Sequence, residues 1–486
     1  MFSNIAIDLL KTLSKEETKK FDAFINSPYY NTNTAVIRLF NTIKKYAPEF
    51  TDDSLRRENL FKKVYPGKTY NELSLRNRFS ELADLVRKFI ALQYFEFNDF
   101  YKKLAYAREM NRREKYKISE KFILELLHEN KKKNNVDPPV FFERSELVNE
   151  LLTTYRGDET ARDTSSKLIE LGDSLINYFY SYFFQIANDM LYNEAIFKYN
   201  PEFNIIKEFI SAFDFEKFLE KLKKFNYSNQ PILEMYYRMY MSRIDKNNPV
   251  HFNILKKLSF ENYERFDKIG LFNLWVFLSN AINGSLQYID SKYNYELFEV
   301  NRFFVALKLF PLHSGSYFFQ SFFDNIFTNA ITCKEIDFAK QFLGENLKLL
   351  QPDLQENTEL YCKALLELNL KNYNSSLSYL SKVKLTDAVL KMRVRLYYFI
   401  NYYETGSLEA GLSLIDSFRH FLKENKKIPE YLLDRVNTCL KYCSSIINAK
   451  INNKSLDYAI YIEAKENTSS YWGRDWILEK MQELVK

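Results

Sequence analysis

The stretch YPGKTYNELSLRNRF, residues 65–79, carries Gly67-Lys68-Thr69, the ending of a phosphate-binding loop. That chemistry needs a run of backbone amides curled round the phosphate. It therefore needs a second glycine five positions earlier and a strand leading in. Lys62 stands at the glycine position, and the segment before it has the apolar spacing of an amphipathic helix. The stretch instead reads as a turn. Pro66 and Gly67 end one helix, and Thr69 or Asn71 caps the next. The four histidines, His128, His251, His313 and His420, are far apart, and no HExxH, GxSxG or GxGxxG pattern is present. No catalytic residue and no cofactor site is assigned, and a non-enzymatic protein is expected. The cysteines are Cys333, Cys362, Cys439 and Cys443, without paired CxxC spacing. Cys439 and Cys443 fall on one helix face and read as small core residues, so no metal is expected.

Positive charge is the second possible chemistry. The net charge is +6, and residues 100 to 135 alone hold 11 Lys or Arg against five Glu. Arg112, Arg113, Lys115, Lys117, Lys131, Lys132 and Lys133 are the residues there that could meet phosphate or an acidic partner. Just before this window, Arg76, Arg78, Arg87 and Lys88 lie on a helix that follows a short turn, as in a helix-turn-helix. On a helical wheel Leu75, Phe79, Leu82, Val86, Phe89 and Ile90 form the buried stripe. Asn77, Glu81, Asp84 and Lys88 lie opposite, with the arginines on the flanks. Carboxylates in the middle of the exposed face repel phosphate. Asp84 and Lys88 fit an i,i+4 pair instead.

These residues must be positioned by helices. The 486-residue chain is 46% hydrophobic and 27% charged, which excludes disordered and collagen-like classes. It has only 10 glycines and 11 prolines, too few for a turn-rich β protein. Its 43 Phe and 36 Tyr are expected to fill the core. The N-terminal MFSNIAIDLLKTLSKEE lacks the features of a secretory signal. Ile269–Ile289 is uncharged but too rich in Asn, Ser, Gln and Gly for a bilayer span, and reads as a helix packed on several sides. A cytoplasmic protein without a membrane span is expected.

Almost every segment has the 3.6-residue period. Ser14 and Glu17 form a capping box for a helix running to about Asn26. Pro28 breaks the chain, and a helix from Thr34 buries Val36, Leu39, Phe40 and Ile43. Thr51-Asp52-Asp53-Ser54 caps the next, which buries Leu60, Phe61 and Val64. A long helix from Asn71 to Tyr94 completes an N-terminal helical domain, 1–96. A middle region, 97–330, is punctuated at Asp137-Pro138-Pro139, Asn200-Pro201, Asn229-Gln230-Pro231 and Asn248-Pro249, with a long aromatic-rich helix at Thr164–Tyr199. Phe141-Phe142 and Tyr317-Phe318-Phe319 could line a pocket but fit core positions better.

The last part, 331–486, repeats one local arrangement: a large apolar residue, a small residue three later, and an apolar residue six later. The copies are Ile336, Ala339 and Phe342; Tyr373, Ser376 and Tyr379; Leu408, Gly411 and Leu414; and Leu456, Ala459 and Ile462. A helical hairpin explains the pattern, because the small residue lets the two backbones approach. Here the chain resembles tetratricopeptide-like repeat proteins, most clearly in Leu370–Leu377 and in Thr405–Ile415. It departs from them in having Lys371 at the usual glycine, in lacking the first-helix Trp, and in the longer last interval. The periodicity gives an all-α fold, an N-terminal helical domain followed by helical hairpins, and the resemblance, over about residues 331–466, makes the stack an α-solenoid. The resemblance also implies a non-catalytic scaffold that binds a protein or peptide along a curved helical surface. The alternative is a nucleic-acid-binding regulator that uses the N-terminal region.

Overall fold

Small polar residues set where the helices begin. Asn4, Ser14, Asn33 and Asn71 each precede a helix, and each side chain accepts a hydrogen bond from a backbone N–H of the first turn, at 2.9, 3.2, 3.0 and 2.9 Å. Glu17 closes the expected capping box by accepting from the Ser14 N–H at 2.7 Å, which draws its carboxyl below the usual range. The computed structural model describes residues 4–50, 55–157, 164–197, 201–286, 290, 292–310, 312, 315–425, 428, 430–467 and 471–485. Among them the chain is all-helical, with 24 α-helices and no strand. Among the described residues no helix is long and apolar enough to cross a membrane. The chain divides into two compact units, Met1–His128 with Glu146–Lys167, and Glu129–Ser145 with Leu168–Lys486.

In the first unit, helices Ile5–Lys11, Lys15–Ile25, Thr34–Ile43, Arg57–Val64 and Glu72–Phe97 enclose one core. Its centre is aromatic. Phe21 meets Phe40 edge-on at 4.9 Å and Phe89 at 5.3 Å. The expected caps at 51–54 lie outside the described residues. The residue before helix Arg57–Val64 is Arg56, which makes no side-chain cap. The opening GKT stretch is a turn. Gly67 has φ 75°, which favours glycine, and Asn71 rather than Thr69 caps the next helix.

Two details of helix Glu72–Phe97 correct the helical wheel. Ile90 is exposed rather than buried. Asp84 pairs with Arg87 at 2.6 Å, while Lys88 lies over the Tyr30 ring at 5.2 Å. The 3.6-residue turn explains both. Ile90 lies past the edge of the stripe, and Arg87 reaches Asp84 along the i,i+3 row.

In the second unit, prolines open helices. Pro231 and Pro249 occupy first-turn positions of Gln230–Ile244 and Pro249–Asn262, where the missing N–H has no partner to lose. Helices Lys268–Ala281, Lys292–Ala306 and Gln320–Thr332 are tied by a buried polar chain. Trp275 Nε1 donates to Asn301 at 2.8 Å, Asn301 to Asn329 at 2.9 Å, and Asn329 to the Asn294 carbonyl at 3.0 Å. Each amide is satisfied, so burying them is tolerated.

The repeated arrangement marks helix starts at three of its four places. Helices Ile336–Asn346, Tyr373–Leu380 and Leu408–Glu424 begin at the first residue of the pattern. Ala339, Ser376 and Gly411 are buried as the small contact residues. The preceding turns share one geometry. Lys334, Lys371 and Gly406 have φ of 61°, 62° and 76°. The next N–H donates back five residues, Glu335 to Ala330, Asn372 to Glu367 and Ser407 to Tyr402, at 2.8–2.9 Å. The fourth place differs. Leu456 precedes helix Tyr458–Glu466, and Ala459 is exposed. The loop after the turn at Asn453 is longer, which throws the pattern out of register. A further copy that the spacing argument missed lies in the first unit, at Tyr116, Ser119 and Phe122. There Glu114 has φ 59°, Lys115 N–H donates to the Met110 carbonyl at 2.8 Å, and Ser119 is buried.

The packing gives an expected result. A Cβ on Gly411 would stand 2.7 Å from Ile447 Cδ1, a movable tip, and a helical Gly→Ala change favours the helix by ~1 kcal/mol. Gly411→Ala should therefore be near neutral. Gly411→Val should lower stability by about 2–3 kcal/mol through overpacking, whereas Ala459→Leu should change it by less than ~0.5 kcal/mol. Urea denaturation of the three variants measures this. A large loss for Ala459→Leu would overturn the distinction.

Candidate interaction surface

The basic residues come first. Arg112 and Arg113 both bind Glu109 at 2.7 Å, and these two guanidiniums hold its carboxyl down at about 2. Arg108, in the same window, reaches Glu146 at 2.6 Å and Glu150 at 3.3 Å. In the other unit Lys131 pairs with Glu170 at 2.6 Å. Lys115, Lys117, Lys132 and Lys133 are exposed and make no ion pair among the described residues. Arg57, at the start of helix Arg57–Val64, and Arg76 and Arg87, on the long helix Glu72–Phe97, line a cleft of about 320 Å³ together with Glu72 and Ser80. Glu72 holds Arg57 and Asp84 holds Arg87. Part of the positive charge is thus compensated, which weakens the field toward phosphate, while four of the seven candidate residues stay without an ion pair among the described residues.

His128 belongs to the first unit and His251 and His420 to the second, and His313 lies outside the described residues. His251 packs against Arg238, with Nδ1 3.2 Å from the guanidinium. Burial, then Arg238, lowers its pKa. The cysteines are all buried, and Cys439 and Cys443 lie 3.8 Å apart as free thiols. No group of three potential metal ligands occurs among the described residues. Of the two aromatic clusters, Phe141 and Phe318 are core, while Tyr317 and Phe319 are exposed.

The feature that stands out is helix Ser165–Phe197, which has two apolar sides. One side builds the core of its own unit. Phe184 meets Phe215 at 5.0 Å and Tyr237 at 5.7 Å, and Tyr180 meets Phe215 at 5.7 Å. On this side the Tyr180 hydroxyl, Ser181 Oγ and Asn188 Oδ1 are buried without a hydrogen-bond partner among the described residues, and one polar chain is joined. Asn177 donates to the Tyr227 hydroxyl, and that hydroxyl donates to Asp173, both at 2.5 Å. Burial pushes the Tyr227 phenol up to about 12.

The other side is exposed. Leu168, Leu175, Phe179, Tyr182 and Ile186 are 51%, 47%, 50%, 46% and 41% accessible, and Ile169 and Ile176 beside them are 74% and 53%. None of these residues is charged. Rings carry the surface onto the next helix, Ile205–Ala212, where Phe209 meets Phe179 at 5.6 Å and Phe183 at 5.0 Å. The seven side chains expose on the order of 700 Å² of mostly apolar surface, above the 300–600 Å² typical of the largest patch on a monomer. Its signal in the sequence is a helix that is apolar nearly all round. The default for such a helix is burial on every side, and the structure departs from that default. No protein-family model matches the chain, and no curated protein or solved structure is detectably similar to it.

Proposed function

We propose that the chain is a non-catalytic protein-binding scaffold of stacked helical hairpins, and that it binds through the exposed apolar face of helix Ser165–Phe197. The single observation that carries this reading is the uncharged, half-exposed row from Leu168 to Ile186. Water-facing apolar area of that size is unfavourable to leave open, and a polypeptide surface removes it from water. The hairpin part of the reading draws support from the shared turn geometry at Glu114, Lys334, Lys371 and Gly406. It also draws support from the packing of Pro352–Asn369 against both Gln320–Thr332 and Ala388–Glu404. Nucleic acid is the other reading. It rests on Arg76 and on the unpaired Lys115, Lys117, Lys132 and Lys133.

A photo-crosslinking side chain at Ile176, with a control at the exposed Glu220, separates these readings in lysate of cells making the full chain. The expected result is a polypeptide adduct at position 176 only, with a yield unchanged between ~50 and ~200 mM salt, as for an apolar interface. Nucleic acid retained by the protein, lost steeply over the same salt range and abolished by Lys131→Glu, Lys132→Glu and Lys133→Glu, would favour the alternative. The absence of any adduct at 176 would remove the scaffold reading.

A further inference from the structure

The exposed row has a specific spacing. Leu168, Gly172, Leu175, Phe179, Tyr182 and Ile186 follow one another at intervals of 4, 3, 4, 3 and 4 residues. That is the 3.5-residue repeat of a coiled-coil seam, held for about five helical turns over about 27 Å. A seam of this kind is complementary to another helix rather than to a flat surface or an extended peptide.

The sequence of the seam also says which helix fits. If two copies of it run antiparallel about a point beside residue 177, Leu168 faces Ile186, Gly172 faces Tyr182, and Leu175 faces Phe179. The smallest residue meets one of the largest, and every layer pairs one position type with the other, as antiparallel seams do. The parallel arrangement would instead stack Gly172 on Gly172 and Tyr182 on Tyr182, leaving a void and a crowded layer. Charge agrees. Lys167 lies just before the seam and Asp189 just after it. Antiparallel pairing brings these opposite charges within a turn of one another, and parallel pairing brings like charges together. No charged side chain interrupts the seam, so a two-fold copy meets no like charge across it. The exposed area, on the order of 700 Å² per copy, is close to the ~800 Å² per partner of a stable interface.

We infer that the occupant of this face is a second copy of the chain, joined in a two-fold antiparallel helix pair centred near Asn177. Such an interface is isologous and closes on itself, which accounts for a self-complementary patch on one helix. The inference rests on the scaffold reading only in that both use this face.

The test uses the full chain. Sedimentation velocity over a range of concentrations should give twice the chain mass for the wild type. Ile176→Glu places two like charges near the two-fold axis and should raise the dissociation constant roughly thirtyfold or more. Because Ile176 is exposed, the variant should keep the wild-type helical circular dichroism and melting temperature. Register is read by disulfide formation, since the native cysteines are buried. A mixture of Leu175→Cys and Phe179→Cys chains should cross-link to each other, and Gly172→Cys alone should not. A dimer indifferent to Ile176→Glu, or one in which Gly172→Cys cross-links to itself, would overturn the inference. A purified monomer that still gives a heterologous polypeptide adduct at position 176 would overturn it and leave the scaffold reading standing. A monomer with no adduct would remove both.

Discussion

Replacing Arg238 with Met is expected to lower the unfolding free energy by about 3 kcal/mol. The guanidinium is nearly buried, with 10% of its side chain accessible. It binds Glu216 through two bonds of 2.6 and 2.8 Å, reaches Glu234 at 3.2 Å, and lies over the Tyr237 ring at 5.2 Å. These bonds offset the desolvation of the charge. The two carboxylates respond differently to its loss. Glu216 is half exposed and rehydrates, whereas Glu234 is mostly buried and is left without its cation. Adding Glu234→Gln to Arg238→Met should therefore recover part of the loss. His251 gives a second readout. Burial and Arg238 hold its pKa low, so folded His251 resists a proton that the unfolded chain accepts. The His251 contribution should fall as pH drops below about 6.5 and should be smaller without Arg238, so it is read as the pH dependence of wild type minus Arg238→Met. Urea denaturation at several pH values measures both. A loss below about 1 kcal/mol would show that the network contributes little.

The second large effect concerns Asp137. Its side chain accepts the Asp267 N–H at 2.9 Å and is otherwise enclosed, and burial pushes its carboxyl up to about 7. The unfolded value is near 3.8, so the folded state is the one that keeps the proton. The stabilisation is full below about pH 4 and is lost as pH rises toward 7, on the order of 2–4 kcal/mol in total. Asp324, raised to about 6 by burial, acts in the same direction. The clean measurement is thus wild type minus Asp137→Asn, which keeps an acceptor for Asp267 and removes the titration. That difference should vary between pH 4 and 7 and be flat above. A difference that stays flat across the window would sink the assignment. Gly270 is why the carboxyl fits at all. A Cβ there would stand 2.0 Å from Asp137 Oδ1, so Gly270→Ala should eject the side chain from its bond and lower stability by about 2–3 kcal/mol. Asp137→Ser, with a shorter side chain, should relieve that defect.

Much of the architecture was legible because it rests on local rules. The caps at Ser14 and Asn71, the stop at Gly67 and the helix starts at Ile336, Tyr373 and Leu408 follow from side-chain chemistry within a few residues. The turn at Lys371 was harder. The left-handed backbone there is the one a glycine would favour, and a lysine adopts it because the back-donated hydrogen bond from Asn372 compensates. The same turn at Glu114 escaped notice because it lies far from the other copies. Partners across the fold were not legible. Nothing near Arg238 in sequence points to Glu216, and nothing near Asp137 points to Asp267, 130 residues away. The exposed seam was half legible. Its aromatic helix was evident, but periodicity cannot tell an inner apolar stripe from an outer one on a helix that carries both.

The burial of the four thiols has a practical corollary. Cys333, Cys362, Cys439 and Cys443 sit in helices or at a helix end, and burial raises the Cys333 thiol to about 12 and holds the Cys362 and Cys443 thiols well above the ordinary thiol value. In the closed state all four are shielded from solvent, and Cys333, Cys362 and Cys443 hold their protons, so an alkylating reagent does not reach a nucleophile. Each therefore reports only the moments when its own stretch of helix opens. The chain carries native, position-resolved clocks of local unfolding across its last third, readable without introducing a label.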